Sequence, residues 1–253
     1  KSLGDMMAEA KLSETVKRFV AHGIALTGED TSAEEAVRRV QEYALSLGRY
    51  APSAFLACYY GVAEVPQAFC RMGAVYGGVY VLRRTAAHFL LDKQTGRASG
   101  VICSNGQTIR APVVVSSLAY VPEELQAAGG LPTEQDSGIR RCVCVCSGPA
   151  MGEEGVCLGM LPPGACGNSV CVRVLQLDVS AQACPRGKYI WHLWAAAPGP
   201  CDLRPALLLL RRLAPTVAVH WCAYYTQRCP EGAAANARGE AVELRPGYRG
   251  DRI

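Results

Sequence analysis

This sequence predicts an α+β chain, or a segment of a larger α/β fold, and three observations carry that reading. Apolar residues recur at helical spacing before Tyr50. After it they alternate or run continuously, as strands do, with short helical interruptions opening near Pro66 and Pro205. Half of the 253 residues are hydrophobic and 19% are charged, a globular balance in a chain long enough to bury a substantial core. No internal repeat and no apolar run of membrane-spanning length breaks this order.

The elements follow in sequence. Ser13 is placed to cap a helix whose Val16, Phe19, Val20 and Ile24 share a face; Gly23 weakens its last turn and Gly28 stops it. In TSAEE, Thr31 with Glu34 or Ser32 with Glu35 offers a capping box for a second helix. Ala36, Val37, Val40, Ala44 and Leu47 form its expected buried stripe, and Gly48 and Pro52 end it. Residues 55–60 suit a short buried strand. Pro66 fits the first position of a helix that Gly77-Gly78 closes.

Strands are expected at 79–82, 88–91, 100–103 and 107–110, with a polar turn at 92–97 and a type I′ hairpin at Asn105-Gly106. The β-branched run 113–117 reads as a strand covered on both faces. Further strands are expected at 139–146, 155–160, 169–177, 188–195 and 217–225, with a turn at Pro162-Pro163-Gly164 and a short helix at 205–213. From Pro230 the sequence is small, polar and aperiodic, and reads as a loose tail.

Chemistry is hard to find. His22, His88, His192 and His220 are scattered, and no HExxH, GxSxG, phosphate loop or GxGxxG after a strand is present. Thirteen cysteines include no CxxC. Cys142, Cys144 and Cys146 alternate with valines and so project from one strand face as small hydrophobes. The odd number and the lack of a secretory leader favour reduced thiols in the cytosol. The net charge of +4 is carried by dispersed Arg pairs, which argues against nucleic-acid binding. No metal or cofactor is expected.

What remains is a binding surface. Glu64 precedes a helix start, where a carboxylate is electrostatically favoured, and Arg71 lies further along the same helix. Phe69, Met72 and Tyr76 add an apolar face beside them. Opposite charges beside aromatics are common at protein recognition surfaces, and they also arise where the two charges simply pair.

These residues carry a family resemblance. GVAEVPQAFCRMGAVYGGVYVLRR, residues 61–84, resembles the central block of the Rab escort protein and Rab GDP-dissociation inhibitor superfamily. The likeness extends back through AHGIALTGED and SLGRYAPSAFLACYYG, and forward through PGACGNSVCVRVLQL, GKYIWHLW and CAYYTQR, covering most of residues 12–228. Phe69-Cys70-Arg71-Met72 and residues 91–97 are similar to the escort branch, component A of Rab geranylgeranyltransferase.

The resemblance implies a flavoprotein-like fold without flavin. Residues 1–50 would be the later half of a helical domain, 51–228 a β-rich segment of a large domain, and 229–253 a tail. It implies a non-enzymatic escort that binds GDP-bound Rab GTPases, presents them to the Rab geranylgeranyltransferase heterodimer, and carries the geranylgeranylated product to membranes. The expected setting is the cytosol with transient membrane contact. By position, Glu64, Arg71 and Val81 match the Rab-binding platform. Phe19, Val20, Ile24 and Leu26 match the mobile, lipid-receiving region. The family's glycine-rich βαβ unit has no counterpart here. The alternatives are a Rab GDP-dissociation inhibitor, a truncated and non-functional escort product, and a flavin oxidoreductase, against which the missing dinucleotide fingerprint argues.

Overall fold

The computed structural model describes residues 1–92, 94–117, 120–122, 138–197 and 201–228. The expected tail lies outside the described residues. The chain divides into two compact units, one formed by Lys1–Phe69 with Ile139–Gln227 and the other beginning at Cys70.

The first unit opens with helices. Helix α1 (Leu3–Glu9), which the apolar spacing does not single out, starts at a capping box in which Ser2 and Asp5 bond reciprocally. Helix α2 (Glu14–Arg18) is capped by Ser13 as expected, then widens into a π-helical turn, Phe19–Ile24, closed by Ala25 N–H to the Val20 carbonyl at 2.8 Å. That widening rotates the buried face. Ala21, His22 and Ala25 are buried, whereas Val16 and Phe19, expected on the inner face, are exposed.

Helix α3 (Ala33–Ser46) is capped by Ser32, whose hydroxyl accepts from Glu35 N–H at 3.3 Å. Glu35 does not return the bond to the cap. Its carboxylate instead takes hydrogen bonds from Arg38 at 2.7 Å and Arg39 at 2.8 Å, which hold it at about 2, below the usual carboxylate range. Of the expected stripe only Ala36 is buried; Val37 and Leu47 are exposed. Leu3, Met7, Ala21 and Ala36 make the small core of this segment.

The same unit contains a five-stranded sheet in the order β5-β6-β7-β4-β8: β4 Gly138–Cys146, β5 Cys157–Leu161, β6 Val172–Leu177, β7 Tyr189–Ala197 and β8 Val219–Arg228. All five fall close to the expected strands. Alternation sends Cys142, Cys144, Cys146, Val172, Val174, Trp191 and Leu193 to one face, where they pack with Ala206, Leu207 and Leu210 of helix α5 (Arg204–Leu213).

The three thiols behave as core atoms. Burial pushes Cys146 up to about 12, and contact with Cys142 followed by burial pushes Cys144 up as well. Polar groups in this core are satisfied. Gln176 accepts from Ala150 N–H at 2.6 Å and donates to the carbonyls of Glu153 and Gly155; Trp191 Nε1 donates to the Gly148 carbonyl at 3.1 Å. Two core residues thereby pin the loop after β4.

The second unit carries an antiparallel three-stranded sheet, β1 (Ala86–Leu91), β2 (Ala98–Cys103) and β3 (Thr108–Arg110), in sequence order. Its β2–β3 hairpin is not type I′, since only Gly106 of the Asn105-Gly106 pair has positive φ, at 82°. Gly106 N–H bonds the Cys103 carbonyl and Cys103 N–H bonds that of Gln107, the pattern of a turn followed by a left-handed bulge residue.

Three expected strands do not form. Residues 55–60, 79–82 and 113–117 lie outside strands; Leu82 is 82% exposed and Val115 93%. Strand propensity is realised only where a neighbouring strand supplies hydrogen bonds and a face to pack on, and among the described residues none is paired with these segments.

Candidate protein-binding surface

Helix α4 spans Glu64–Val75, opening two residues ahead of the expected Pro66. Proline is tolerated there because a first-turn N–H has no intrahelical acceptor to lose. The approach is a sharp turn: Tyr60 and Gly61 both have positive φ, and Tyr60 N–H is held by the Ala181 carbonyl at 2.9 Å. Gly77, with φ of 84°, and Gly78 N–H bonding the Gly73 carbonyl at 2.9 Å close the helix. A Cβ at Gly73 would lie 2.5 Å from the Tyr80 hydroxyl, so a larger residue there would displace that exposed ring.

The division between the two units falls inside this helix, after Phe69, so Glu64 and Arg71 belong to different units. Both are exposed, and among the described residues neither side chain takes part in an ion pair or hydrogen bond. The pairing that would make them merely structural is absent from this structure. A seven-residue spacing is close to two full helical turns, so the two occupy one strip of the helix surface. Val65, Phe69, Met72 and Tyr76 follow their own strip, about a quarter turn round. All four are exposed, Tyr76 at 86% and Phe69 at 63%. Val81 is also exposed, in the irregular segment after the helix. These large apolar side chains lie open to solvent and are not part of a folded interior.

The four residues matched to lipid reception are not gathered in one place. Val20 lines an apolar hollow of about 220 Å³ with Leu3, Met7, Leu12, Val37 and Val40. Ile24 and Leu26 line a second hollow of about 310 Å³ that also presents Arg38, Arg39 and Glu42. Phe19 lines neither; its ring lies against Gly23, 3.4 Å from where a Cβ would stand.

Among the described residues no three His, Cys, Asp or Glu side chains converge as a metal site would need, and no helix is long and apolar enough to cross a membrane. Residues 79–82 lie open although their sequence, Val-Tyr-Val-Leu, predicts a strand; nothing local distinguishes the two.

Comparison with known proteins defines the setting of this surface. The family described as GDP dissociation inhibitor matches residues 1–217. The chain belongs to that family. It is 36% identical over 193 residues to the Rab proteins geranylgeranyltransferase component A of Drosophila melanogaster, covering 74% of this chain and 36% of that protein. It is 31% identical over 199 residues to the human component A 2, covering 76% and 29%, and 28% identical over 185 residues to the Rab GDP-dissociation inhibitor of Saccharomyces cerevisiae, covering 71% and 39%. The chain thus spans roughly a third of the length of the curated relatives it matches. A solved Rab GDI from Plasmodium falciparum has the same fold: TM-score 0.71 at 18% identity, over 90% of this chain and 50% of that one. The mixed helix-and-sheet architecture expected from the sequence is therefore that of the GDI fold.

Proposed function

We propose that the chain is the Rab-binding and lipid-receiving part of a Rab escort protein, holding a GDP-bound Rab for geranylgeranyl transfer and carrying the product to a membrane. The observation that carries this is α4. Its Glu64 and Arg71 are exposed and unengaged in a family whose relatives are named for Rab proteins. Glu64, Arg71 and Val81 would contact the GTPase, and the apolar strip beside them would give the contact its hydrophobic centre. On this reading the chain performs no chemistry; prenyl transfer belongs to the partner transferase heterodimer, and the escort works in the cytosol with transient membrane contact. Residues 1–50 would then belong to the helical domain and 51–228 to the large one.

The physics of the lipid supports the same reading. A chain of about twenty carbons exposed to water costs on the order of ten kcal/mol. A carrier must cover it and still release it. The hollow at Val20 is lined by apolar residues apart from Gln41, and the π-helical turn of Phe19–Ile24 is a weaker element than the α-helices beside it. Phe19, Val20, Ile24 and Leu26 would receive the isoprenoid by a shift of that turn.

The likeness to the yeast inhibitor supports a second reading, extraction of prenylated Rab from membranes. A pull-down with unprenylated GDP-bound Rab and the transferase separates the two. The escort reading expects a ternary complex; binding of prenylated Rab alone, with no transferase retained, favours the inhibitor.

A further inference from the structure

The far face of the five-stranded sheet, opposite the cysteine-lined core, floors a hollow of about 710 Å³ that adjoins the one at Ile24, with Leu26 and Phe55 lining both. Register builds that floor. Leu158 pairs with Leu175 across β5 and β6, and Arg173 pairs with Trp194 across β6 and β7. All four alternate away from the buried residues Val172, Val174 and Leu193, so they share the opposite face. Leu26, Phe55 and Leu56 line it from the first part of the chain. The volume is in the range of small-molecule sites, and the lining is apolar apart from Ser53 and one charge, Arg173.

That charge is unsatisfied. Arg173 Nη2 donates to the Leu26 carbonyl at 2.9 Å, but its Nε is buried with no acceptor, and no described carboxylate pairs with the guanidinium. Arg173 is half-buried; a buried N–H without an acceptor is costly to keep, and an anion on the hollow side would give the guanidinium the counter-charge it lacks. A planar fork of donors matches a carboxylate bidentately. One arginine suits one negative charge; a diphosphate would call for several cations, and Arg173 is the one cation lining this hollow, while Arg38 and Arg39 of the adjoining hollow are already paired with Glu35 and Glu42.

We propose that this hollow binds a long-chain carboxylate, a fatty-acid anion, with its carboxylate on Arg173 and its hydrocarbon along Leu158, Leu175, Trp194 and Phe55. The ligand differs in chemistry from an isoprenoid carried on a protein, which has no anionic head. The site shares Leu26 with the residues proposed above to receive the isoprenoid, but it rests on Arg173 and the far sheet face alone.

The test uses the 253-residue chain and a naturally fluorescent fatty acid, cis-parinarate, below its micellar concentration, with oleate as competitor. Binding is expected to saturate at one site and to quench Trp194, the quenching being lost in Trp194→Phe. Oleyl alcohol should compete at least tenfold more weakly than oleate on the unaltered protein, which isolates the head group without any substitution. Arg173→Gln should weaken oleate at least tenfold with an unchanged circular dichroism spectrum, and Arg173→Lys should recover part of the loss. Geranylgeranyl diphosphate competing more strongly than oleate would overturn the proposal in favour of a polyanion site. Non-saturable uptake, or equal competition by acid and alcohol, would overturn it outright.

Discussion

In the five-stranded sheet, Trp191, Leu193 and the alternating cysteines of β4 are sealed from solvent, Trp191 to 0% exposure; along α4 and the segment after it, Phe69, Tyr76 and Leu82 lie open to it. The two regions do not differ in hydrophobicity. They differ in what the described residues supply to cover them. The sheet has α5 on its inner face and a strand on each side of β6, β7 and β4. Helix α4 buries none of its residues. Apolar side chains become a core where partners are in reach and stay open to solvent where they are not.

Trp191→Ala breaks the comparison most severely. It removes the largest fully buried side chain and the hydrogen bond to Gly148, and should cost about 3–5 kcal/mol, read as a fall of several degrees or more in Tm or as loss of folded protein. Next is Gln176→Leu, which keeps the volume but strands the Ala150 N–H and the Glu153 and Gly155 carbonyls; the expected loss is about 2 kcal/mol by urea denaturation.

The pH dependence of the sheet is a smaller effect. Burial first, and the nearby charge of Arg141 second, hold the His192 imidazole below its ordinary pKa. The unfolded chain therefore binds a proton there before the folded one does, and stability falls as pH drops below about 6.5. His192→Gln should flatten that part of the profile, measured as the urea midpoint between pH 7.5 and pH 5. The smallest effect belongs to the open region: Tyr76→Ser should shift stability by no more than about 0.5 kcal/mol. A large loss there would mean that the helix surface is part of a core after all.

The sheet was readable from sequence because its signals are local. RCVCVC alternates cysteine with valine, β6 and β7 are apolar runs of strand length, and the turn at Pro162-Pro163-Gly164 delimits β5 on its far side. Capping by Ser13 and Ser32 was readable for the same reason. Residues 55–60, 79–82 and 113–117 carry the same β-branched and aromatic signal, yet form no strand, because pairing depends on a partner distant in sequence. The π-helical turn has no distinctive composition, and it moved Phe19 outward. At the candidate surface, the spacing of Glu64 and Arg71 was legible; their freedom from each other and from their neighbours was not. The hollow over β6 was invisible, because only strand register places Arg173 beside Trp194.

The account turns on α4 as the grip on a GTPase, and one titration tests it most directly: GDP-bound Rab against the chain and against Arg71→Ala, with melting curves for both. The expected result is saturable binding that weakens about tenfold or more in the variant, at an unchanged Tm. Equal affinity of the two proteins for Rab would contradict it.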